Sequence, residues 1–374
     1  MSRIYLDYNA STPLAPCVAQ AIHAALEECY GNPSSSHWAG LPAKHLLEQS
    51  RAQVAALLGC TSDEIVFTSG GSEANNLALK GIFFARESRP AHIVTSAIEH
   101  PSILEPCSFL ERLGARVTCL PVDGAGRVNP DDLQRAITRD TILVSLMHAN
   151  NEVGTIQPIE ECARVARAHG VLFHTDAAQS VGKIPTRVDE LGVDLLSIAG
   201  HKLYAPKGVG ALYVRAGVKL ESLIHGAGHE SGRRAGTESP MLASGLGAAC
   251  TIARDLGWTR RVRELRDRLW MSLQDRFGDS VVLNGHPEYR LPNTLNVSFV
   301  GHNGTELLAA LDGVAASTGT ACHSGRVESS PVLRAMRVPA HIGAGAVRFS
   351  LGRGTTLEEI DNAIGRISTV LSRT

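Results

Sequence analysis

The sequence predicts an α/β fold: a mostly parallel seven-stranded sheet flanked by helices, plus a smaller α+β domain. Three observations predict it. Seven short β-branched runs fall between residues 64 and 215, most are separated by stretches of helical periodicity, and strict alternation stops after about residue 250. Alternation of this kind calls for right-handed crossovers and a sheet covered on both faces. With 374 residues the chain has room for about two domains. They are expected at 12–255 for the large one and 1–11 with 256–374 for the small one.

In chain order the strand runs are "EIVFTS" (64–69), "AHIVTS" (91–96), "ARVTCL" (115–120), "TILVSLM" (141–147), "VLFHTD" (171–176), "DLLSIAG" (194–200) and "GALYVR" (210–215). Helical periodicity, often opened by Pro or Asp, marks 74–86, 101–113, 131–138 and 159–169. Further on, Val262, Leu265, Leu269 and Leu273 recur at helical spacing and predict a long helix over 258–277. Strands near 281–284 and 294–299, a helix near 304–311, a strand "VRFSLG" (347–352) and a last helix over 357–372 complete the small domain. No internal repeat or low-complexity tail interrupts the pattern.

Composition narrows the function. Hydrophobic residues make up 44% and charged residues 20%, and the net charge of -1 provides no global field for nucleic acid or an anionic membrane. The Arg-rich "RRVRELRDRLW" (260–270) is interleaved with Asp and Glu, as on a solvated helix face. Eight scattered cysteines with no C-x-x-C pair form neither a secreted disulfide framework nor a paired zinc ribbon. "MSRIYLDYNAS" lacks the pattern of a signal peptide, and the apolar run "SPMLASGLGAACTIA" (239–253) is broken by Gly and Ser and too short to span a bilayer. A soluble cytoplasmic protein, without membrane or direct nucleic-acid partners, is expected.

In open α/β sheets, sites gather at the carboxyl ends of strands, and polar clusters follow the runs here. "FTSGGSEANNLALKG" (67–81) reads as strand, Gly turn and helix start. Its backbone N–H groups with Ser69 and Ser72 suit a phosphate, though an ordinary capped helix is the simpler account of this segment alone. Asp176 ends "FHTDAAQ"; it suits a protonated ring nitrogen, a metal shared with His174, or simply a helix cap. Lys202 ends another strand in "AGHK", where a surface lysine is again the plain alternative. The set is more specific than its parts. A phosphate cup, an Asp and a Lys at three ends of one sheet are what pyridoxal phosphate requires: Schiff base on Lys202, Asp176 on the pyridine nitrogen, His100 of "EHPS" against the ring. A metal site fits less well, since no further ligands stand at useful spacing. Last, Cys322 lies in "ASTGTACHSGRVESS" (316–330), small polar residues that bury nothing, so it is either incidental or a reactive thiol on a tether.

Motifs along the chain, among them "YLDYNASTPL", "GNPSSSHWAG", "FTSGGSEANN", "EHPS", "MHANNEVGTIQPI", "HTDAAQSVGK", "GHKLYAPKGVGALYVR", "GHESGRRAGTES", "RLPNTLNVSF", "TGTACHSG" and "VRFSLGR", resemble in order those of the NifS/IscS-type cysteine desulfurases. These are class V aminotransferase relatives among the fold-type I pyridoxal-phosphate enzymes, and the likeness runs from about residue 4 to 372. The resemblance implies a homodimer that converts L-cysteine to L-alanine and leaves a persulfide on Cys322 for a sulfur-acceptor protein, in iron–sulfur cluster assembly or thio-modification. It implies that Lys202 links to the cofactor and moves the Cα proton, that Asp176 pairs with the pyridine nitrogen, that His100 stacks on the ring and that Gln179 hydrogen-bonds the phenolate oxygen. Gly71, Ser72 and His201 would hold the phosphate, with Thr237 of the partner subunit reaching in. Arg348 would grip the substrate carboxylate, while Asn32 and Asn151 position the amino acid. Cys322, on a loop over about 316–332, would attack the substrate sulfur as a thiolate.

Three positions depart from the pattern: Ala199 stands near the phosphate cup where a hydroxyl or thiol is common, Ala205 replaces a frequent Gly, and His323 follows Cys322 where Thr or Ser is commoner. "ACHS" also occurs in selenocysteine-lyase-like relatives, so a selenocysteine lyase or related β-eliminating enzyme is the alternative activity.

Overall fold

The computed structural model describes residues 3–86, 90–318 and 330–372. The chain opens with β1 (Ile4–Tyr5), α1 (Pro16–Glu28) and α2 (Gly40–Leu58). The alternating region follows as β2 (Ile65–Thr68), α3 (Gly71–Phe84), β3 (Ala91–Ser96), α4 (Pro101–Arg112), β4 (Ala115–Leu120), α5 (Pro130–Ala136) and β5 (Thr141–Ser145). It continues through α6 (Ile159–Ala168), β6 (Leu172–Asp176), α7 (Val188–Leu191), β7 (Leu195–Ala199), β8 (Gly210–Val214) and α8 (Pro240–Ala253). The last part holds α9 (Trp258–Phe277), β9 (Val281–Asn284), β10 (Thr294–Phe299), α10 (Gly304–Ala310), β11 (Val314–Ala315), α11 (Pro331–Ala335), α12 (Ala340–Gly343), β12 (Ala346–Ser350) and α13 (Leu357–Leu371).

All seven predicted runs become strands of one sheet, in the order β2-β8-β7-β6-β5-β3-β4. The pairs β3–β4, β3–β5, β5–β6 and β6–β7 are parallel, whereas β8 runs antiparallel to both β2 and β7. The other six strands therefore point one way, and their carboxyl ends share one edge. β8 starts at that edge, where Gly210 pairs with both Thr68 and Ala199. A Cβ on Gly210 would lie 2.5 Å from the Ile198 carbonyl oxygen and 2.7 Å from Gly70, so only glycine lets the three segments close up there.

Every residue of β2, β3, β5, β7 and β8 is buried, as expected for a sheet with helices on both faces. One face packs Leu58, Phe173, Leu196 and Leu246 into a core with α2 and α8; the other packs Leu77, Ile82, Ile103 and Leu212 with α3 and α4. A separate core joins Ile4 and Leu6 to Val262, Leu265, Leu269 and Leu273 of α9, to Val297 and Phe349 of the antiparallel β12-β10-β9 sheet, and to Ile360 of α13. The four apolar residues predicted for the 258–277 helix are thus its buried stripe.

The stretch 239–253, read from its glycines and serines as a broken apolar run, contains α8. Its small residues permit close helix contact: a Cβ on Gly247 would fall 2.2 Å from Gln53 Oε1 and 3.0 Å from the Ser50 Cα of α2. Tertiary packing outweighs the low helix propensity of glycine here. Among the described residues no helix is long and apolar enough to cross a membrane.

Candidate active site

A cavity of about 420 Å³ opens at the carboxyl edge of the large sheet, with Arg348 and Ser317 closing its far wall. Its floor begins at the β2–α3 turn. Gly70 has φ 152 and ψ -178, a conformation open in practice only to glycine, and no side chain caps α3. The helix start therefore presents Gly71 and Ser72 to the cavity with its positive dipole end. Ala199 packs beneath: a Cβ on Gly71 would meet the Ala199 Cβ at 3.0 Å, so this small residue fits the tight turn.

Asp176, the last residue of β6, is 7% exposed. Asn75 Nδ2 donates to its Oδ2 at 2.7 Å and the Ala178 N–H to its Oδ1 at 2.9 Å, both neutral partners that orient the carboxylate without cancelling its charge. Asn75 also donates to Ser102 Oγ at 2.8 Å, and its own Oδ1 is buried without a partner among the described residues. His100 caps α4. Its Nδ1 accepts from the Ser102 N–H at 3.1 Å, so that nitrogen carries no proton and the ring is neutral with its hydrogen on Nε2. Desolvation, helped by Lys202 and opposed by Asp176, holds His100 below the usual imidazole range.

Lys202 closes a short turn after β7, and its Nζ donates to the carbonyl oxygens of Asn9 at 2.6 Å and Ala10 at 2.8 Å. Burial and then Arg348 lower its pKa to about 8, against Asp176 and Asp7. Two residues on, Tyr204 has φ 70, a left-handed conformation that bulky side chains rarely adopt. It is held there by Thr12 Oγ1, which accepts from its N–H at 2.8 Å, and by the Arg353 N–H, which donates to its hydroxyl at 2.8 Å. His201 also lines the cavity, lowered to about 4 by burial, Lys202 and Lys207.

Arg348 comes from the middle of β12 and is 5% exposed. Nη2 donates to Asp7 Oδ1 at 2.7 Å and Nη1 to the Asn151 carbonyl at 2.9 Å, while Nε has no partner among the described residues. Gln179 faces the same space; its Nε2 donates to the Asn9 carbonyl at 2.9 Å and its Oε1 accepts from Lys183 Nζ at 2.9 Å. Glu152, raised to about 7 by burial against Ser330 and Arg348, is hydrogen-bonded by the Ser330 hydroxyl.

The expected residues Gly71, Ser72, His100, Asn151, Asp176, Gln179, His201, Lys202 and Arg348 thus line one cavity. Asn32 does not join them within this chain: it is exposed, and its Oδ1 accepts from the Ser34 N–H at 2.9 Å, serving the local turn. Thr237 is exposed and lines a different cavity, beside Phe67, Ser69 and Arg234. Cys322 and His323 lie outside the described residues. The His174–Asp176 metal alternative fails on geometry: the His174 nitrogens meet Ser145 Oγ at 2.8 Å and Ser197 Oγ at 2.9 Å inside the sheet, away from the cavity. Sequence reasoning missed Asp7, Asn9, Asn75, Ser102 and Glu152. The polar "DYN" that follows β1 after Leu6 was the available signal for the first two.

These residues fit pyridoxal phosphate. A buried carboxylate with only neutral partners suits a cationic ring nitrogen, an uncapped helix start suits a phosphate, and an amine of lowered pKa suits a carbonyl.

Comparison with known proteins places the chain among its relatives. Residues 4–363 match the family described as aminotransferase class-V. The chain is 48% identical to a cysteine desulfurase IscS of Dictyoglomus turgidum over 377 residues, 99% of this chain and 95% of that one. It is 44% identical to a cysteine desulfurase IscS of Methanosarcina thermophila over 378 residues, 99% of this chain and 92% of that one. Among solved structures, a NifS-like protein superposes with a TM-score of 0.93 at 38% identity and full coverage of both chains. SspA in complex with cysteine gives 0.84 at 36% identity, covering 94% of this chain and 100% of that one.

Proposed function

The chain belongs to the class-V aminotransferase family and, within it, to the cysteine desulfurases; from that premise we propose that it uses pyridoxal phosphate to take sulfur from L-cysteine onto Cys322. The observation that carries this is the convergence of Lys202, Asp176, His100, the α3 start and Arg348 on one cavity of about 420 Å³.

When bound, pyridoxal phosphate supplies an electron sink for negative charge developing at the substrate Cα. The chain's own residues do the rest. Gly71, Ser72 and His201 hold the phosphate, with Thr237 of the partner subunit completing the cup. Asp176, fixed by Asn75 and the Ala178 N–H, keeps a proton on the ring nitrogen. The neutral His100 ring covers one face of the cofactor, and Gln179 donates to its phenolate oxygen. Lys202 anchors the cofactor and moves the Cα proton, a task suited to an amine near pKa 8. Arg348 binds the substrate carboxylate, with Asn151 fixing the guanidinium through its carbonyl.

The Cys322 thiolate attacks the substrate Sγ. The new S–S bond forms as the Cβ–S bond breaks, the electron pair passes to carbon, and protonation there yields alanine, leaving one extra sulfur on Cys322. That sulfur then passes to an acceptor protein. The same proposal includes two domains, 12–255 and 1–11 with 256–374, consistent with Ile4 and Leu6 in the second core. It includes a cytoplasmic homodimer, for which Tyr30 and Trp38, 72% and 77% exposed, offer apolar surface.

Alanine and sulfide release from L-cysteine by the pyridoxal-phosphate-loaded protein, with L-selenocysteine in parallel, tests the reading. Turnover of cysteine supports it; reaction with selenocysteine alone makes the protein a lyase on the same scaffold.

A further inference from the structure

One buried lysine has no part in the roles above. Lys183 is 5% exposed and lies four residues beyond Gln179, on the turn after β6. Gly182 turns the chain with φ 73, and a Cβ there would meet the Ala253 Cβ at 2.9 Å, so the turn is seated firmly against α8. Inside, Lys183 Nζ donates to Gln179 Oε1 at 2.9 Å and reaches Asn9 Oδ1 at 3.4 Å. No carboxylate pairs with it among the described residues. Burial, and then its charged neighbours Lys202 and Arg348, both cationic, lower it to about 7.

A buried amine without a counter-charge is costly. A surface-filling role would be met more cheaply by methionine or leucine. What the amine supplies is direction. A glutamine side chain has nearly the same shape with its oxygen and nitrogen exchanged, and only its partners decide which way it points. A lysine ammonium donates and never accepts, and the neutral amine still has hydrogens to donate. Nζ donates to the Gln179 carbonyl oxygen at 2.9 Å, and the NH2 group is turned to the other side. There Nε2 donates one hydrogen to the Asn9 carbonyl, 2.9 Å away, leaving the second for the cavity that Gln179 lines.

We propose that Lys183 is a positioning residue, whose Nζ locks the Gln179 amide with Nε2 toward the cavity so that Gln179 presents a donor to an oxyanion there. Reversed, the amide would set its oxygen against that oxyanion. The inference rests on the proposed contact between Gln179 and the phenolate oxygen of the cofactor.

The visible absorption maximum of the pyridoxal-phosphate-loaded protein reports on that oxygen directly, apart from turnover. Gln179→Ala is expected to move the maximum, Lys183→Met to move it in the same direction, and the double variant to move it no further. Unfolding curves of the cofactor-free variants run alongside, because loss of stability alone would leave the maximum in place. If Gln179→Ala leaves the maximum unmoved, the Gln179 contact and the inference fall together. If Gln179→Ala moves it while Lys183→Met does not, or if the two shifts add in full, the inference falls and the Gln179 contact stands. Should Lys183→Met yield no soluble protein, Lys183→Gln carries the test, since it keeps a polar side chain there but can accept as well as donate and so no longer dictates which way the Gln179 amide points. A maximum moved as in Gln179→Ala supports the proposal, and a wild-type maximum overturns it.

Discussion

The two sheets supply the cavity in different ways. The seven-stranded sheet contributes residues at strand ends: Asp176 closes β6, Lys202 follows β7 within three residues, and Gly71 opens the helix after β2. The three-stranded sheet contributes Arg348 from the interior of β12, where it pairs in register with Asn296. Strand ends are places where the ladder stops and a side chain can serve a ligand at little cost to the sheet. A mid-strand arginine must instead be satisfied where it stands, and Asp7 and the Asn151 carbonyl do this. Asn9 ties the two sides together: its carbonyl accepts from Gln179 and Lys202, and its side chain meets Asn293 and Thr294 next to β10 and at its start. In the proposed function the large sheet holds the cofactor and the small one binds what reacts with it.

This division can be broken from either side. The largest expected effect is on the cofactor side: Lys202→Ala loses turnover of L-cysteine and the absorption band of the bound cofactor together, and sulfide release at the wild-type rate would refute it. On the substrate side, Arg348→Ala keeps the band but raises KM about 30-fold, from loss of a charge-assisted contact of ~2 kcal/mol. Steady-state kinetics beside the cofactor spectrum separates the two, and a lost band in Arg348→Ala would mean that the sides are not distinct. Asn75→Ala, which frees Asp176 on one side, should weaken pyridoxal-phosphate affinity about tenfold with little change in KM, from one hydrogen bond to a charged group of ~1.5 kcal/mol. Equilibrium titration of the cofactor-free protein checks it.

The smallest effect concerns pH. The Lys202 amine must be unprotonated to react with the cofactor's carbonyl. Because its pKa is lowered to about 8, the association rate of pyridoxal phosphate should climb as pH rises toward 8 and level off above it. Continued climbing toward the ordinary lysine range near ~10.4 would show that the amine is not perturbed.

Legibility in the sequence followed the same division. All seven strands of the large sheet could be read because strands in a sheet covered on both faces, the six that point one way and the antiparallel β8 alike, are short apolar runs between turn signals, and Asp176 and Lys202 could be read because they end or closely follow such runs. The long amphipathic α9 was equally plain from Val262, Leu265, Leu269 and Leu273. Hidden from sequence were contacts far apart in the chain. Asn9 meets Gln179 across 170 residues and Asp7 meets Arg348 across 341. No local pattern encodes such a pair. α8 was hidden for another reason, since its glycines gain from close packing on α2 what they lose in propensity. The role of Asn32 was carried by resemblance alone, and within one chain its side chain serves its own turn.

The central claim is that substrate sulfur ends on Cys322. It is tested most directly by mass spectrometry of the pyridoxal-phosphate-loaded protein after a single turnover with L-cysteine and no acceptor. One added sulfur on the peptide that contains Cys322, absent from the Cys322→Ala variant, is the predicted result. Sulfur on another cysteine, or alanine formed at the full rate by Cys322→Ala, would contradict it.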